Sequence, residues 1–146
     1  MLRKRLRKND IDLIISTGPP HSMHLIAKTM SEKFNIPWIA DFRDPWTGIE
    51  YFEKLPLLSF ARKAHQRLEQ KVLRSCDQLI TVSDSWAKHL KKLGAKKVEV
   101  IHNGYDAEDF RSDLPEPKRI SIAHFGTYPQ SRNHIELWEA LNELCE

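Results

Sequence analysis

Cysteine is almost missing from this chain of 146 residues, and much else is missing with it. Cys76 and Cys145 stand far apart and form no Cys-x-x-Cys pair, so neither a disulfide framework nor a thiolate zinc site is on offer, and a reducing cytosol suits the chain. No run approaches the roughly 18 apolar residues of a membrane-spanning helix, and the basic start is not followed by the apolar core of a signal peptide. Neither sign of charge dominates: 23 basic against 20 acidic side chains leave a formal +3, too balanced to argue for a nucleic-acid partner. There is no Gly-x-Gly-x-x-Gly, no phosphate loop ending in Gly-Lys-Ser/Thr, no Gly-x-Ser-x-Gly elbow and no run of His, Cys, Asp and Glu with metal-ligand spacing. Ser16, Ser83 and Ser85 therefore read as caps and loop donors rather than nucleophiles, and no metal site is expected.

What is present is an alternation. Short apolar runs at 12–16, 37–41, 79–82, 98–101 and 120–125 each end in polar or glycine-bearing loops, the pattern of buried parallel strands. Between them lie helical stretches. Met23, Ile26, Ala27, Met30 and Phe34 make one stripe, and Ala61, Ala64, Leu68 and Val72 a second. Ser83 is a natural N-cap for a third helix carrying Trp86, Ala87, Leu90 and Leu93, closed by Gly94. Asn133 and Glu136 form a capping box over a last helix with Leu137, Ala140, Leu141 and Leu144. The fold class is α/β, a parallel sheet with flanking helices, its first four strands side by side in sequence order through right-handed crossovers. The segment 1–9 has a helix-like pattern, and 111–118, with Pro115 and Pro117, reads as a linker.

In such sheets ligands sit outside the C-terminal strand ends, which gathers the candidate residues. The first loop, STGPPHS, offers Gly18 and His21 at the start of a helix whose free backbone donors could hold an anion. His24 lies on the turn itself and reads as ordinary surface. The second loop, DFRDPW, packs two carboxylates and a guanidinium into four residues, either as an ion pair of Arg43 with Asp41 or Asp44 that fixes the loop, or as a set of groups for sugar hydroxyls. A third, VIHNGYD, brings His102, Asn103 and Gly104 in a tight turn that invites positive φ. Positive charge is concentrated at Arg3, Lys4, Arg5, Arg7 and Lys8 and again at Lys91, Lys92, Lys96 and Lys97; these are solvated helix faces or contacts to an acidic lipid surface.

The ordered series STGPPHSMHLIAK, IPWIADFRDPW, LEQKVLRSCDQLITVSDSWAKHLKKLG, VEVIHNGYD and ISIAHFGTYPQSRNHIELWEAL resembles the group 1 (family 4) glycosyltransferases of GT-B fold, closest to bacterial surface-polysaccharide members with an RDxW motif. The resemblance implies a Rossmann-like sheet that is part of a two-domain enzyme. In it, residues 1–112 are the latter half of the acceptor-binding domain, 113–118 a linker, and 119–146 the first strand and helix of the donor-binding domain. It further implies a retaining, hexosyltransferase-type activity in a longer parent, with a nucleotide-sugar as donor substrate, a glycan or lipid-linked acceptor, no cofactor, and a cytoplasmic location with peripheral contact at the inner membrane face. By the same resemblance, His21 lies near the transferred sugar as the catalytic candidate, and Gly18, Arg43, Asp44, Asn103 and Gly104 line the acceptor side of the cleft. Gly126, Thr127 and Arg132 fall on the donor side, although Thr127 stands where the family usually has Arg or Lys. The piece alone is expected to be inactive and, with the strand at 12–16 as a bare edge, to self-associate. The alternative is a non-catalytic, flavodoxin-like binding or interaction module using the same sheet edge for a phosphate-bearing ligand.

Overall fold

A computed structural model describes residues 11–109, 121–130 and 133–144. The helix-like segment at 1–9, the linker at 113–118 and Arg132 lie outside the described residues. The chain divides into two compact units, Met1–Tyr105 and Asp106–Glu146.

In the first unit, β1 (Ile14–Gly18), β2 (Trp38–Phe42), β3 (Gln78–Thr81) and β4 (Val98–Val100) form one parallel sheet in the order β1-β2-β3-β4. This is the Rossmann-like α/β arrangement that the strand and helix alternation predicts. The intervening helices are α1 (Ser22–Phe34), α2 (Ser59–Ser75) and α3 (Asp84–Lys92). All three share one face of the sheet, because Ala27, Val72, Leu73 and Leu90 pack in a single cluster with Trp38, Ala40, Phe42 and Leu79. Trp38, Phe42, Leu73, Leu79 and Leu90 are fully buried, each contributing about 1.5–3 kcal/mol by leaving water. The strands were expected to be buried; on the other face, however, Ile39 and Ile80 are half-buried and Ile15 is exposed.

Helix ends follow their sequence signals in part. Ser83 caps α3 by accepting from the Trp86 amide at 3.3 Å. Gly94, at φ 111°, closes it with paired bonds, Ala95 N–H to the Leu90 carbonyl and Gly94 N–H to that of Lys91. Asn35, at φ 52°, does the same for α1, where no glycine was present to signal the stop.

Two helical stripes are rotated from the positions expected. In α1 the buried residues are His24, Ala27, Lys28 and Met30, while Met23 and Ile26 are exposed. The helix lies over β1 and β2, so Met23 and Ile26 look instead onto an open groove beside the β1 edge. In α2 the inward residues include Glu69, Val72 and Leu73, whereas Ala64 and Leu68 face outward, because a buried carboxylate takes the place nearest the loop that follows β2.

The second unit contains a short 3-10 turn, Ala107–Asp109, and α4 (Ile135–Glu143). Residues 121–125 do not form the expected fifth strand: Ile122 and Phe125 are 69% and 93% exposed, and a strand needs a neighbour to take up its backbone groups. The capping box does not form either. The N-cap of α4 is His134, without a side-chain bond, and Asn133 Oδ1 accepts from Trp138 Nε1 at 2.7 Å. The stripe of α4 stays exposed at Leu137 and Leu144 and half-buried at Leu141.

Candidate functional site

The C-terminal ends of β1 and β2 are hydrogen-bonded neighbours, Gly18 opposite Phe42, so the two loops that follow them meet. The first loop delivers His21 at the start of α1. Two of the amides in its first turn are already used, Met23 N–H by the Pro20 carbonyl and His24 N–H by that of His21, which removes donors that an anion would need. The second loop delivers Arg43 and Asp44, both exposed, followed by the buried Pro45 and Trp46.

The His21 imidazole lies flat on the Trp46 indole, with centroids 5.2 Å apart and 8° between planes, and is flanked by Phe42 at 5.5 Å. Burial pulls its pKa below the ordinary 6.5, against an opposing pull from the Asp44 charge and the Pro45 carbonyl. His21, Asp44 and Gly18 are thus brought together. Arg43 makes no ion pair with Asp41 or Asp44 among the described residues, so the loop-fixing pair is not formed; Asp41 instead accepts from Thr17 Oγ1 at 2.8 Å.

What fixes the second loop comes from α2. Glu69, buried, accepts from the amides of Trp46 and Thr47, each at 3.3 Å, and from the Thr47 hydroxyl. His65 Nδ1 accepts from Trp46 Nε1 at 3.1 Å, and Arg62 donates to the carbonyls of Phe52, Glu53 and Leu55. Anchored at both ends, the loop holds Trp46 against His21 and leaves Arg43 and Asp44 outside. None of Glu69, His65 or Trp46 figured among the expected site residues. Glu69 had a signal, as the one acid of α2 amid Arg62, Lys63, Arg67, Lys71 and Arg74.

His24 corrects the sequence reading most sharply. It is fully buried, stacked on Phe42 at 4.5 Å and 6°, and its Nδ1 is 2.8 Å from Ser16 Oγ, which also accepts from Trp38 Nε1 at 2.8 Å. Burial, with a smaller push from His21, lowers its pKa to about 4. Ser16 is therefore a core hydrogen-bonding group and not a loop donor. Gly18 must be small here, because a Cβ would stand 2.6 Å from His21 Nδ1 and 2.7 Å from His24 Nε2.

Asn103 and Gly104 follow β4, two strands away from β2, and are exposed; neither has positive φ, and a Cβ on Gly104 would meet nothing within 4 Å, so the expected tight glycine turn is absent. His102 Nδ1–H donates to the Val82 carbonyl at 3.0 Å, which ties that loop to the end of β3. Gly126, at φ 111°, and Thr127 belong to the second unit, both exposed, with the Thr127 carbonyl accepting from His124 Nε2 at 3.3 Å. Among the described residues no group of three or more His, Cys, Asp or Glu is placed to hold a metal ion, and no helix is long and apolar enough to cross a membrane.

Comparison with protein families gives a match to the model described as Glycosyltransferase Family 4 over residues 1–109. No curated protein and no solved structure matches.

Proposed function

The chain belongs to glycosyltransferase family 4, and on that premise we propose that it is the acceptor-side part of a longer GT-B enzyme that moves a hexose from a nucleotide-sugar to a glycan or lipid-linked acceptor in bacterial surface-polysaccharide synthesis. The observation that carries this reading is the state of Arg43 and Asp44. They stand exposed at the end of β2, free of ion pairs among the described residues, beside an imidazole held in an aromatic stack. A forked donor and a carboxylate acceptor on consecutive residues suit the vicinal hydroxyls of a sugar. His21 and Gly18 complete the near side of this cleft, with Asn103 and Gly104 further along the same sheet edge. In the same proposal Gly126, Thr127 and Arg132 serve the donor, whose diphosphate leaving group needs positive groups and helix-end donors, and transfer proceeds with retention.

Contact with an anionic membrane surface is supported by α2, where Lys63, Arg67, Lys71 and Arg74 recur at helical spacing behind the exposed Leu58 and Phe60. Self-association of the chain is supported by the β1 edge, where Leu13, Ile15, Met23 and Ile26 are exposed beside a groove of about 640 Å³.

The test is transfer itself. Full-length enzyme incubated with labelled uridine and guanosine diphosphohexoses and a bacterial lipid extract should move label into the lipid or glycan fraction with release of nucleoside diphosphate. Absence of transfer from every donor, with the enzyme folded, contradicts the proposal.

A further inference from the structure

Two buried nitrogens near the cleft have no hydrogen-bond partner among the described residues: His21 Nδ1 and His24 Nε2. Both lie close to the same point, the place where a side chain on Gly18 would begin, at 2.6 and 2.7 Å. Their rings are 5.6 Å apart at 37°. From these positions we infer that His24 is a positioning residue for His21, donating a direct imidazole-to-imidazole hydrogen bond from Nε2–H to His21 Nδ1. The inference rests on the reading of His21 as a cleft residue only for its functional meaning, not for its geometry.

The proton inventory fixes the direction of that bond. Trp38 Nε1 can only donate, so Ser16 Oγ accepts from it. The single Ser16 proton then has one neighbour to go to, His24 Nδ1. If Nδ1 carried the proton instead, the buried Ser16 hydroxyl would keep a donor with no acceptor, which buried polar groups avoid. Neutral His24 therefore carries its proton on Nε2, and that proton points at His21. Accepting that proton at Nδ1 leaves the single proton of neutral His21 on Nε2.

Every member now donates in one direction, from Trp38 through Ser16 and His24 to His21. In the structure the two nitrogens stop short of a hydrogen bond, so the proposal has the His21 ring turn within its stack on Trp46 to complete it. Both orphaned atoms are satisfied by each other, and Gly18 is what leaves them room. The functional consequence is a choice of tautomer. His21 presents to the cleft a fixed N–H at Nε2, a donor for a ligand oxygen, and never a free lone pair there.

Long-range proton–nitrogen correlation spectra of the nitrogen-15-labelled 146-residue chain at pH 8 read this directly. Both histidines should show the single Nε2–H pattern, with scalar coupling across the bond between His24 Nε2 and His21 Nδ1. In His24→Phe, which keeps a ring on Phe42, His21 should lose its single tautomer, while His24→Gln, which keeps a donor, should restore part of it. Ser16→Ala serves as a second handle should His24→Phe fail to fold; it should turn His24 into a tautomer mixture and abolish the coupling. A His21 signal that is Nδ1–H or mixed in the parent chain, or unchanged in folded His24→Phe or Ser16→Ala, overturns the inference. No substrate enters this experiment, so its outcome stands apart from whether the enzyme transfers a sugar.

Discussion

The plane of the His21 imidazole lies within 8° of the plane of the Trp46 indole, and the backbone of Trp46 is held by Glu69 on α2. The carboxylate takes the amides of Trp46 and Thr47 and the Thr47 hydroxyl, so its removal orphans buried donors. Glu69→Ala should cost about 2 to 4 kcal/mol, and Glu69→Gln, which retains a carbonyl oxygen, clearly less. Urea unfolding measures the stability. The His21 ring-proton shifts, which depend on the indole beneath, should move in Glu69→Gln in step with any displacement of Trp46. A Glu69→Ala chain as stable as the parent would show that the loop is held by other means.

Gly18→Ala should be destabilising by about 1 to 3 kcal/mol, since the added methyl meets two stacked rings, not the end of a flexible chain. Gly104→Ala, with open space around it, should be close to neutral. Thermal unfolding of the two variants side by side provides the check; equal midpoints would contradict the close approach at Gly18.

Acid should weaken the fold through His24. Its pKa is about 4 in the folded chain against 6.5 unperturbed, so between those values the unfolded chain binds the extra proton. Stability is complete above about pH 6.5 and declines as pH falls towards 4, by about 3 kcal/mol for this group if the whole shift is realised. His21, lowered for the same reason, adds in the same direction. Urea midpoints at pH 7.5 and 4.5 should differ more for the parent than for His24→Phe, and parallel declines would refute the assignment.

The order of the first four strands, the helices between them and the loops that carry the candidate residues were legible because each rests on local patterns: apolar runs, caps at Ser83 and Gly94, and the crossovers that join the strands. His24 was misread because its helical stripe was phased on Met23 and Ile26, the larger apolar residues; the stripe His24, Ala27, Lys28 would have required accepting a histidine and a lysine as inward positions. The role of Glu69, the one acid of α2, was not legible for a related reason, since its partners are backbone amides 22 and 23 residues earlier and no side-chain pattern encodes them. The strand expected at 120–125 and the capping box at Asn133 have convincing local signals. Over the described residues 121–125 no strand forms, and neither does the box, which shows that such signals need packing to be realised.

Self-association along β1 predicts a species larger than 17.1 kDa in sedimentation equilibrium at low micromolar concentration. Ile15→Lys, a charge on the 65% exposed residue of that edge strand, should shift the distribution towards monomer. A single 17.1 kDa species for the parent chain rules self-association out.

The central claim, that the loop after β2 meets the acceptor, is tested most directly by sugar transfer in full-length enzyme carrying Arg43→Ala, with Lys92→Ala as the surface-charge control and folding matched by circular dichroism. Loss of a forked, charge-assisted donor should lower transfer about ten- to a hundred-fold for Arg43→Ala, and Lys92→Ala should stay near the parent rate. Equal rates for the parent and Arg43→Ala would contradict it.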